Sequence, residues 1–495
     1  MMDVDRGAVQ TTNLRSTLKG TRHPEDKWIY LVLFIVLALF LCFGLIEVYS
    51  TEGLFSYDPN YHMNLSELLE QKQEIITEIQ LYEGSSPPQY LTSMQLLTAL
   101  LHQYTGLSYL TIYRTFGLFC RIFTALVLFI TASYFLQDKR YGLAAVILFI
   151  SSSYIFYRSL ISYPENLVLP FQILIFHAMI KSLREGEIDY ALPVYISAAL
   201  YIHYRSFIVP ALLLLVFLIF KRNIKYAAGL SLCAGILAAP ILQSAIDQYI
   251  KYYHINVGPS ASWKPYTVGN PSYAVPTFNY YLSQLGALLI LLMLLGIPFL
   301  LRRINAEKLI LLLWLTFTFA MTRGKSVGLY VPTDRMLVYF CVPAALVAAL
   351  FLKEGLDSEL RSPRARMAAG SLMSLALVFF LVVNMPGIHG WVGIGADKRD
   401  AAAWLNENAS DNAVIIPFQL DLVTMGVDRL GSIDIFKGGE LEDVSNAPGG
   451  VKEKIGELYP EKKVYIVSGT DDFQVHDAEV VFQEGKIRIY YYESD

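Results

Sequence analysis

Residues 26–62 read DKWIYLVLFIVLALFLCFGLIEVYSTEGLFSYDPNYH, and this stretch decides how the rest of the chain is interpreted. The run from 28 to 49 is apolar over the roughly 20 residues that a helix needs to cross a bilayer. It is too long for a cleavable signal peptide, and no small-residue cleavage pattern follows it. The stretch therefore predicts a first membrane span followed at once by a turn that contains Asp58 and Pro59.

The rest of the chain continues this apolar pattern. Of the 495 residues, 54% are hydrophobic and only 17% are charged, a balance too apolar for a soluble protein of this size. Apolar runs of helical length predict a polytopic α-helical membrane protein with about eleven transmembrane helices. The predicted spans are 28–49, 109–136, 141–157, 166–180, 189–203, 207–220, 226–245, 278–301, 309–321, 336–352 and 368–389.

The basic residues indicate the orientation of these spans. If the N-terminal tail, residues 1–27, is cytoplasmic, the inner segments hold 19 Lys and Arg residues and the outer loops hold 8. Basic residues concentrate on the cytoplasmic side of membrane proteins. The pattern predicts a multi-pass cell-membrane protein, and the odd number of spans places the C-terminal segment, residues 390–495, outside.

Two regions outside the membrane domain, residues 28–389, carry structure of their own. In the large first outer loop, residues 50–108, the amphipathic stretches 62–81 and 91–104 predict helices that lie along the membrane surface. In the C-terminal segment, alternating helical and strand patterns predict a small outer α/β domain. That segment holds 20 acidic and 10 basic residues, which argues against nucleic acid as a partner.

Polar residues at the predicted outer ends of the spans form the candidate site. A charged side chain at membrane depth is costly, so such residues usually serve a site or pair with one another. All but Arg121 lie near the outer ends of different spans, so we expect them to meet in one outward-facing cavity. The candidates include Tyr57, Asp58, Tyr61, His62, Arg114, Arg121, Arg158, Glu165, His203, Arg205 and Arg335.

These residue types suit glycosyl transfer from a lipid-phosphate donor. A carboxylate such as Asp58 can take a proton from an acceptor hydroxyl or amide, or hold a divalent cation such as Mg or Mn, with Glu165 as a second ligand. Arginines can neutralise the departing phosphate, where negative charge develops in the transition state.

Each candidate also has an ordinary structural explanation. Asp58 before a helix is a common cap, and Glu165 after a proline is a common first-turn residue. His203 can be an interfacial histidine, and Arg335 an anchor to lipid headgroups. Arg121 lies seven residues after another arginine on one helix face, so pairing within the bundle is an equal alternative.

Five motifs resemble those of the GT-C superfamily of membrane glycosyltransferases, in forms similar to archaeal oligosaccharyltransferases and protein O-mannosyltransferases. SYDPNYHMNL resembles the family's first-loop Asp motif, and SYPEN its second acidic motif. IHYRS resembles the polar turn after the family's fifth span. TDRMLVYFCVPAALVAA resembles the span near the end of the family's membrane domain that begins with an arginine. DAAAWLNENASDNAVI is similar to the segment that opens the family's outer domain.

The resemblance implies roles for these residues. It implies that Asp58 is the catalytic base or a metal ligand, that Glu165 is the second acidic residue, and that Arg335 contacts the lipid phosphate. The donor is then a polyprenyl-phosphate sugar and the acceptor a protein or glycolipid, with membrane lipid around both. The substrate-binding residues that we expect are Tyr57, Tyr61, His62, Arg158, His203, Arg205 and Arg335.

The chain departs from the family pattern in two places. The C-terminal segment lacks the WWDYG motif of oligosaccharyltransferase catalytic subunits, which argues against asparagine as the acceptor. The second acidic motif has one carboxylate, Glu165, where some relatives have two.

Three alternatives stay open on the sequence alone. A transporter or flippase of lipid-linked molecules usually shows internal repeats and helices broken at the midplane, and no repeat is found. An O-antigen ligase or polymerase relies on a large outer loop between late spans, whereas here the largest outer loop follows the first span. The third alternative is a non-enzymatic assembly factor, which would give no reason for the arginines and carboxylates at the span ends.

Overall fold

The structure, a computed structural model, describes most residues up to Leu356 and part of the C-terminal segment. The described residues are 24–50, 54, 58–73, 79–81, 84–86, 93–187, 189–203, 208–221, 229–230, 232–237, 239, 276–302, 304–324, 333–356, 396–410, 413–418, 453, 455, 457–459, 461–469 and 478–493.

Helices make up most of the described residues up to Leu356. The helices are α1 (Pro24–Ser50), α2 (Asp58–Lys72), α3 (Ser93–Thr105), α4 (Tyr109–Leu136), α5 (Lys139–Ile150), α6 (Ser153–Ser159), α7 (Pro164–Glu185), α8 (Leu192–Ile202), α9 (Ile208–Lys221), α10 (Phe278–Leu285), α11 (Ala287–Leu301), α12 (Ala306–Thr322), α13 (Thr333–Phe351) and α14 (Ala396–Asn408). A π-helical turn, Leu352–Leu356, extends α13.

Four of the described helices are long and apolar enough to cross a membrane, namely α1, α4, α7 and α13. The number rises to six if the bent pairs α5–α6 and α10–α11 each count as one span, and α8 and α9 are shorter apolar helices. The predicted span 368–389 lies outside the described residues, as does part of 226–245. The count of eleven spans therefore stays a prediction.

Two of the predicted spans are not single straight helices. The span predicted at 141–157 bends by 73° between α5 and α6, where the Ser152 side chain accepts a hydrogen bond from the backbone N–H of Ile155 and begins a new helix. Serine hydroxyls compete for backbone groups in this way and interrupt helices. The span predicted at 278–301 bends by 112° at Gly286, whose φ of 87° is readily adopted only by glycine.

The helix predicted at 62–81 in the first outer loop is wrong at its C-terminal end. Helix α2 ends at Lys72, and Gln73 has the left-handed φ of 53° that often follows a helix. Residues Ile79–Leu81 form strand β1, which pairs antiparallel with β2 (Gly84–Ser86). The sequence after Lys72 is rich in isoleucine, which favours strand over helix. The second helix predicted in this loop is present as α3.

The described part of the C-terminal segment contains a four-stranded sheet with the order β3–β4–β6–β5. Its strands are β3 (Val414–Phe418), β4 (Lys463–Ser468), β5 (Glu479–Glu484) and β6 (Ile487–Glu493). Strands β3 and β4 are parallel, and β6 is antiparallel to both β4 and β5. The mixture of α14 and this sheet agrees with the predicted α/β character, while the domain boundaries and the outer location stay predictions.

One face of this sheet is continuous with the helices α2 and α3, which precede α4. A single cluster of buried side chains includes Leu65 of α2, Tyr113 of α4, Leu405 of α14 and Ile489 of β6. Burying apolar side chains contributes roughly 1.5–3 kcal/mol each, so this cluster ties the C-terminal sheet to the part of the fold that carries the first-loop motif.

Candidate active site

Helix α7 begins at the second acidic motif. Tyr163 at the N-cap has an extended backbone, Pro164 occupies the first helical turn, and Glu165 follows it. Proline's fixed φ suits a helix start, and a carboxylate there interacts favourably with the helix dipole. The Glu165 side chain is only 1% exposed, so the local sequence sets a buried carboxylate at the N-terminus of α7.

The structure brings Glu165, Arg335 and His203 together from three helices. Nη1 of Arg335 donates to Oε1 of Glu165 at 3.0 Å, and Nε2 of His203 lies 3.9 Å from the same oxygen. His203 follows the last residue of α8, and Arg335 lies in the first turn of α13. Three of the candidates expected to meet in one cavity are therefore adjacent.

Two arginines lie against the Tyr163 ring beside this carboxylate. The guanidinium carbon of Arg158 is 4.2 Å from the ring centroid, and that of Arg335 is 5.5 Å from it. Cations over an aromatic face are attracted by the negative face of the ring. Arg158 also attracts Glu165 electrostatically. Because two guanidinium groups surround one carboxylate, the cluster carries excess positive charge and suits an anionic ligand.

The second oxygen of Glu165, Oε2, accepts no hydrogen bond from any residue that the structure describes. A buried carboxylate oxygen without a partner is costly, and it is a suitable donor atom for a hard divalent cation. In the described ranges no group of three or more His, Cys, Asp or Glu side chains is arranged to hold a metal ion. A metal ion bound at Glu165 would therefore need further ligands beyond this carboxylate.

The first-loop motif is described only in part. Helix α2 begins at Asp58, but the side chains of Asp58 and Tyr61 lie outside the described residues, and so do Tyr57 and Arg205 entirely. The roles expected for these four residues stay predictions.

His62 is completely buried between the first-loop helices and α4. Its Nδ1 lies 2.7 Å from Nε2 of Gln95 in α3, and its backbone carbonyl accepts a hydrogen bond of 2.8 Å from the hydroxyl of Tyr113 in α4. The ring of His62 therefore bonds to α3 and its backbone carbonyl bonds to α4, while contact between His62 and substrate stays a prediction.

Asn166 is a member of the cluster that the sequence did not single out. It is fully buried, its Oδ1 accepts a hydrogen bond of 2.6 Å from Nη2 of Arg121, and its Nδ2 donates to the carbonyl of Arg158 at 3.0 Å. The available signal was its place directly after Glu165 in SYPEN, where a buried polar side chain demands partners.

No model of a known protein family matches this chain, and no curated protein matches it. Several solved membrane proteins share its fold, among them the following three. The archaeal oligosaccharyltransferase AglB from Archaeoglobus fulgidus, in complex with an inhibitory peptide and a dolichol-phosphate, matches with a TM-score of 0.65 and 14% identity over 90% of this chain and 70% of that one. An oligosaccharyltransferase from Archaeoglobus fulgidus has also been solved in complex with Zn and sulfate.

The other two structures are bacterial. ArnT from Cupriavidus metallidurans, bound to undecaprenyl phosphate, matches with a TM-score of 0.62 and 11% identity over 95% of this chain and 98% of that one. The arabinofuranosyltransferase AftD from Mycobacteria matches with a TM-score of 0.60 and 10% identity over 94% of this chain and 40% of that one. All three are GT-C glycosyltransferases, so the resemblance inferred from the motifs is confirmed for the fold of this chain.

Proposed function

We propose that the protein is a membrane glycosyltransferase that moves a sugar from a polyprenyl-phosphate donor to an acceptor at the outer face. The observation that carries this proposal is the buried Glu165 carboxylate held by Arg335, with Arg158 and Tyr163 beside it. Solved proteins of the same fold hold dolichol-phosphate and undecaprenyl phosphate. A cationic cluster at the ends of membrane helices suits that kind of ligand, whose phosphate is polar and whose tail is apolar.

The arginines act on the leaving group in this proposal. When the bond between the anomeric carbon and the phosphate oxygen breaks, negative charge grows on the departing prenyl phosphate. Guanidinium groups bind phosphate through two parallel N–H bonds and keep their charge at all relevant pH values. Glu165 and Tyr163 hold Arg335 in place before the donor arrives, so little reorganisation is needed during the reaction.

Asp58 acts on the acceptor in this proposal. Its carboxylate takes the proton from the acceptor hydroxyl or amide as that group attacks the anomeric carbon. The helix that Asp58 begins is fastened through His62 to α4, which also supports the turn before Glu165. Both acidic segments are thereby attached to one rigid helix, as a site needs for aligned attack.

A divalent cation, Mg or Mn, suits Oε2 of Glu165, which accepts no hydrogen bond from the described residues, and we propose that Asp58 and Glu165 hold it. When bound, it supplies positive charge that stabilises the departing phosphate. Arg335 keeps Oε1 of Glu165 engaged, which orients the carboxylate so that Oε2 remains available for this role.

A flippase for lipid-linked molecules is the competing function that one observation favours. Transporters often use broken helices, and this fold has bends of 73° and 112° in two helix pairs. The charged cluster, however, lies at helix ends, whereas transporter sites lie near the bilayer midplane.

Transfer of a labelled sugar tests the proposal. The full chain is reconstituted in proteoliposomes with a panel of dolichyl- and undecaprenyl-phosphate sugars, together with membrane extract as a source of acceptor. Release of the prenyl phosphate that accompanies labelling of an acceptor is the expected result. Movement of intact donor across the bilayer without its cleavage supports the flippase and rejects the transferase.

A further inference from the structure

Three residues of α4, Tyr113, Gly117 and Arg121, form what we call the support face. They are spaced four residues apart, which places them on one side of a helix. All three are buried. Each of them contacts either the turn that leads to Glu165 or the helix that begins at Asp58.

Arg121 supports the turn that leads into α7. It is fully buried, and its Nη2 donates to Oδ1 of Asn166 at 2.6 Å. Asn166 in turn donates to the carbonyl oxygens of Arg158 and Ile161. One side chain on α4 thus secures the backbone from the end of α6 to the first turn of α7, where Glu165 lies.

Gly117 lets the same turn approach α4 closely. Its backbone N–H donates to Oγ of Ser162 at 3.1 Å. A Cβ at this position would lie 2.6 Å from the carbonyl oxygen of Ser159 and 2.7 Å from that of Ile161. These distances are too short for any side chain, so only glycine permits this contact.

Tyr113 supports the first-loop motif from the same face. Its hydroxyl bonds the carbonyl of His62 at 2.8 Å and lies 2.7 Å from Oγ of Ser66 and 3.2 Å from Oγ1 of Thr98. These contacts fasten α2, which begins at Asp58, and α3 to the N-terminal half of α4.

The burial of Arg121 needs an explanation beyond packing. Within the described part of the chain it forms no ion pair with a carboxylate, and its Nε and Nη1 have no hydrogen-bond partner. Its guanidinium lies 5.6 Å from the ring centroid of Phe149, and Arg158 repels it electrostatically. A charge in such surroundings is expensive and usually functional.

We propose that Arg121 is a positioning residue, which acts through Asn166 and sets, with the rest of the support face, the spacing between the Asp58 and Glu165 segments. This inference rests on the proposed function, because the spacing matters only if both carboxylates serve one reaction. A displacement of about 1 Å from reactive geometry can cost roughly 100-fold in rate.

A double-mutant cycle tests the coupling between Arg121 and Asn166. In Arg121→Met and in Asn166→Ala, kcat/KM for the donor is expected to fall roughly 100-fold, while KM for the acceptor stays unchanged. In the double variant, kcat/KM is expected to equal that of the less active single variant, because both substitutions remove the same hydrogen bond. Arg121→Lys, which keeps the charge and a donor, is expected to recover part of the loss.

The matched control removes an arginine elsewhere. Arg140, at the far end of the helices, has a side chain that is 58% exposed, so Arg140→Met is expected to leave transfer unchanged. Losses that add in the double variant would mean that Arg121 contacts substrate directly, and this outcome overturns the positioning role.

Amide hydrogen exchange gives a readout that does not depend on activity. Exchange in residues 159–166 is expected to accelerate in Arg121→Met but not in Arg140→Met, because the turn loses its support. Unchanged exchange in Arg121→Met rejects the inference even if the wild type transfers sugar. If the wild type transfers no sugar, the proposed function fails, while the exchange result still decides whether Arg121 supports the turn.

Discussion

Arg335 donates a hydrogen bond of 3.0 Å to Oε1 of Glu165, although 170 positions separate the two residues in sequence. The Glu165 side chain is 1% exposed, while that of Arg335 is 19% exposed. The carboxylate thus lies inside the protein, and the arginine reaches from it toward an accessible surface. Buried ion pairs are weak contributors to stability because desolvation offsets their attraction. Under the proposed function, this pair orients Arg335 for an anion instead of adding much stability.

Asp58→Asn is expected to abolish sugar transfer while folding stays close to normal. Asparagine keeps the size and hydrogen-bonding capacity of a helix cap but lacks the negative charge that a base or metal ligand needs. The measurement is transfer from a prenyl-phosphate sugar by the purified, correctly folded variant.

The matched control for this change is Asp138→Asn. Asp138 caps α5 by accepting a hydrogen bond from the backbone N–H of Arg140, and it is expected to tolerate the substitution with full activity. If Asp58→Asn transferred sugar at a near wild-type rate, Asp58 would be only a helix cap and not a base or metal ligand.

Glu165→Gln is expected to lower both stability and transfer. Removing one partner of a buried ion pair leaves the other charge uncompensated, at a cost on the order of 3–5 kcal/mol. The expected results are a lower midpoint of thermal unfolding and a loss of transfer that exceeds the loss of folded protein.

Glu307→Gln separates these two effects. Glu307 of α12 pairs with Arg184 of α7 at 2.6 Å, near the end of α7 that lies opposite Glu165. This variant is expected to lose stability but to keep its activity per folded molecule. Equal activity per folded molecule in both variants would make Glu165 purely structural.

Arg335→Lys is expected to raise KM for the prenyl-phosphate donor about tenfold and to leave KM for the acceptor unchanged. Lysine keeps the charge but loses the planar fork that binds phosphate through two bonds, and one charged hydrogen bond contributes about 1.5 kcal/mol or more. Arg140→Lys makes the same change at an exposed position and serves as the control. A raised acceptor KM with an unchanged donor KM would assign Arg335 to the acceptor instead.

Chelation with EDTA is expected to stop transfer, and Mn or Mg is expected to restore it. The physical reason is the buried Oε2 of Glu165, which has no partner among the described residues and suits a hard cation. Metal content, measured on the purified protein, is expected to fall in Asp58→Asn. If the metal-free protein kept full activity, the metal proposal would fail, and the arginines alone would neutralise the phosphate.

Lys486 is expected to lie outside the cell membrane. It follows Gly485 in the exposed turn between β5 and β6. Lys486→Cys, in a background without Cys42 and Cys233, is expected to react with a membrane-impermeant maleimide in intact cells. Lys139→Cys, in a segment assigned to the cytoplasm, is expected to react only after lysis. The reverse pattern would invert the topology and place the site at the inner face.

The sequence alone determined where the chain is apolar for long enough to form membrane helices. Bilayer thickness sets that length, so α1, α4, α7 and α13 follow from composition over about twenty residues each. Local chemistry also placed Glu165 in the first turn of a helix, because Pro164 before it favours a helix start. The length of an apolar run and the start of a helix depend on residues that are close in sequence, so a sequence pattern can predict both.

Only the tertiary structure decided which polar residues meet. The contacts of Glu165 with Arg335 and His203, and of Arg121 with Asn166, join residues on different helices. Helix packing sets these distances, and no periodicity along one segment encodes them. The bend at Gly286 was likewise not predicted from the sequence, because an apolar run looks alike whether the helix is straight or broken.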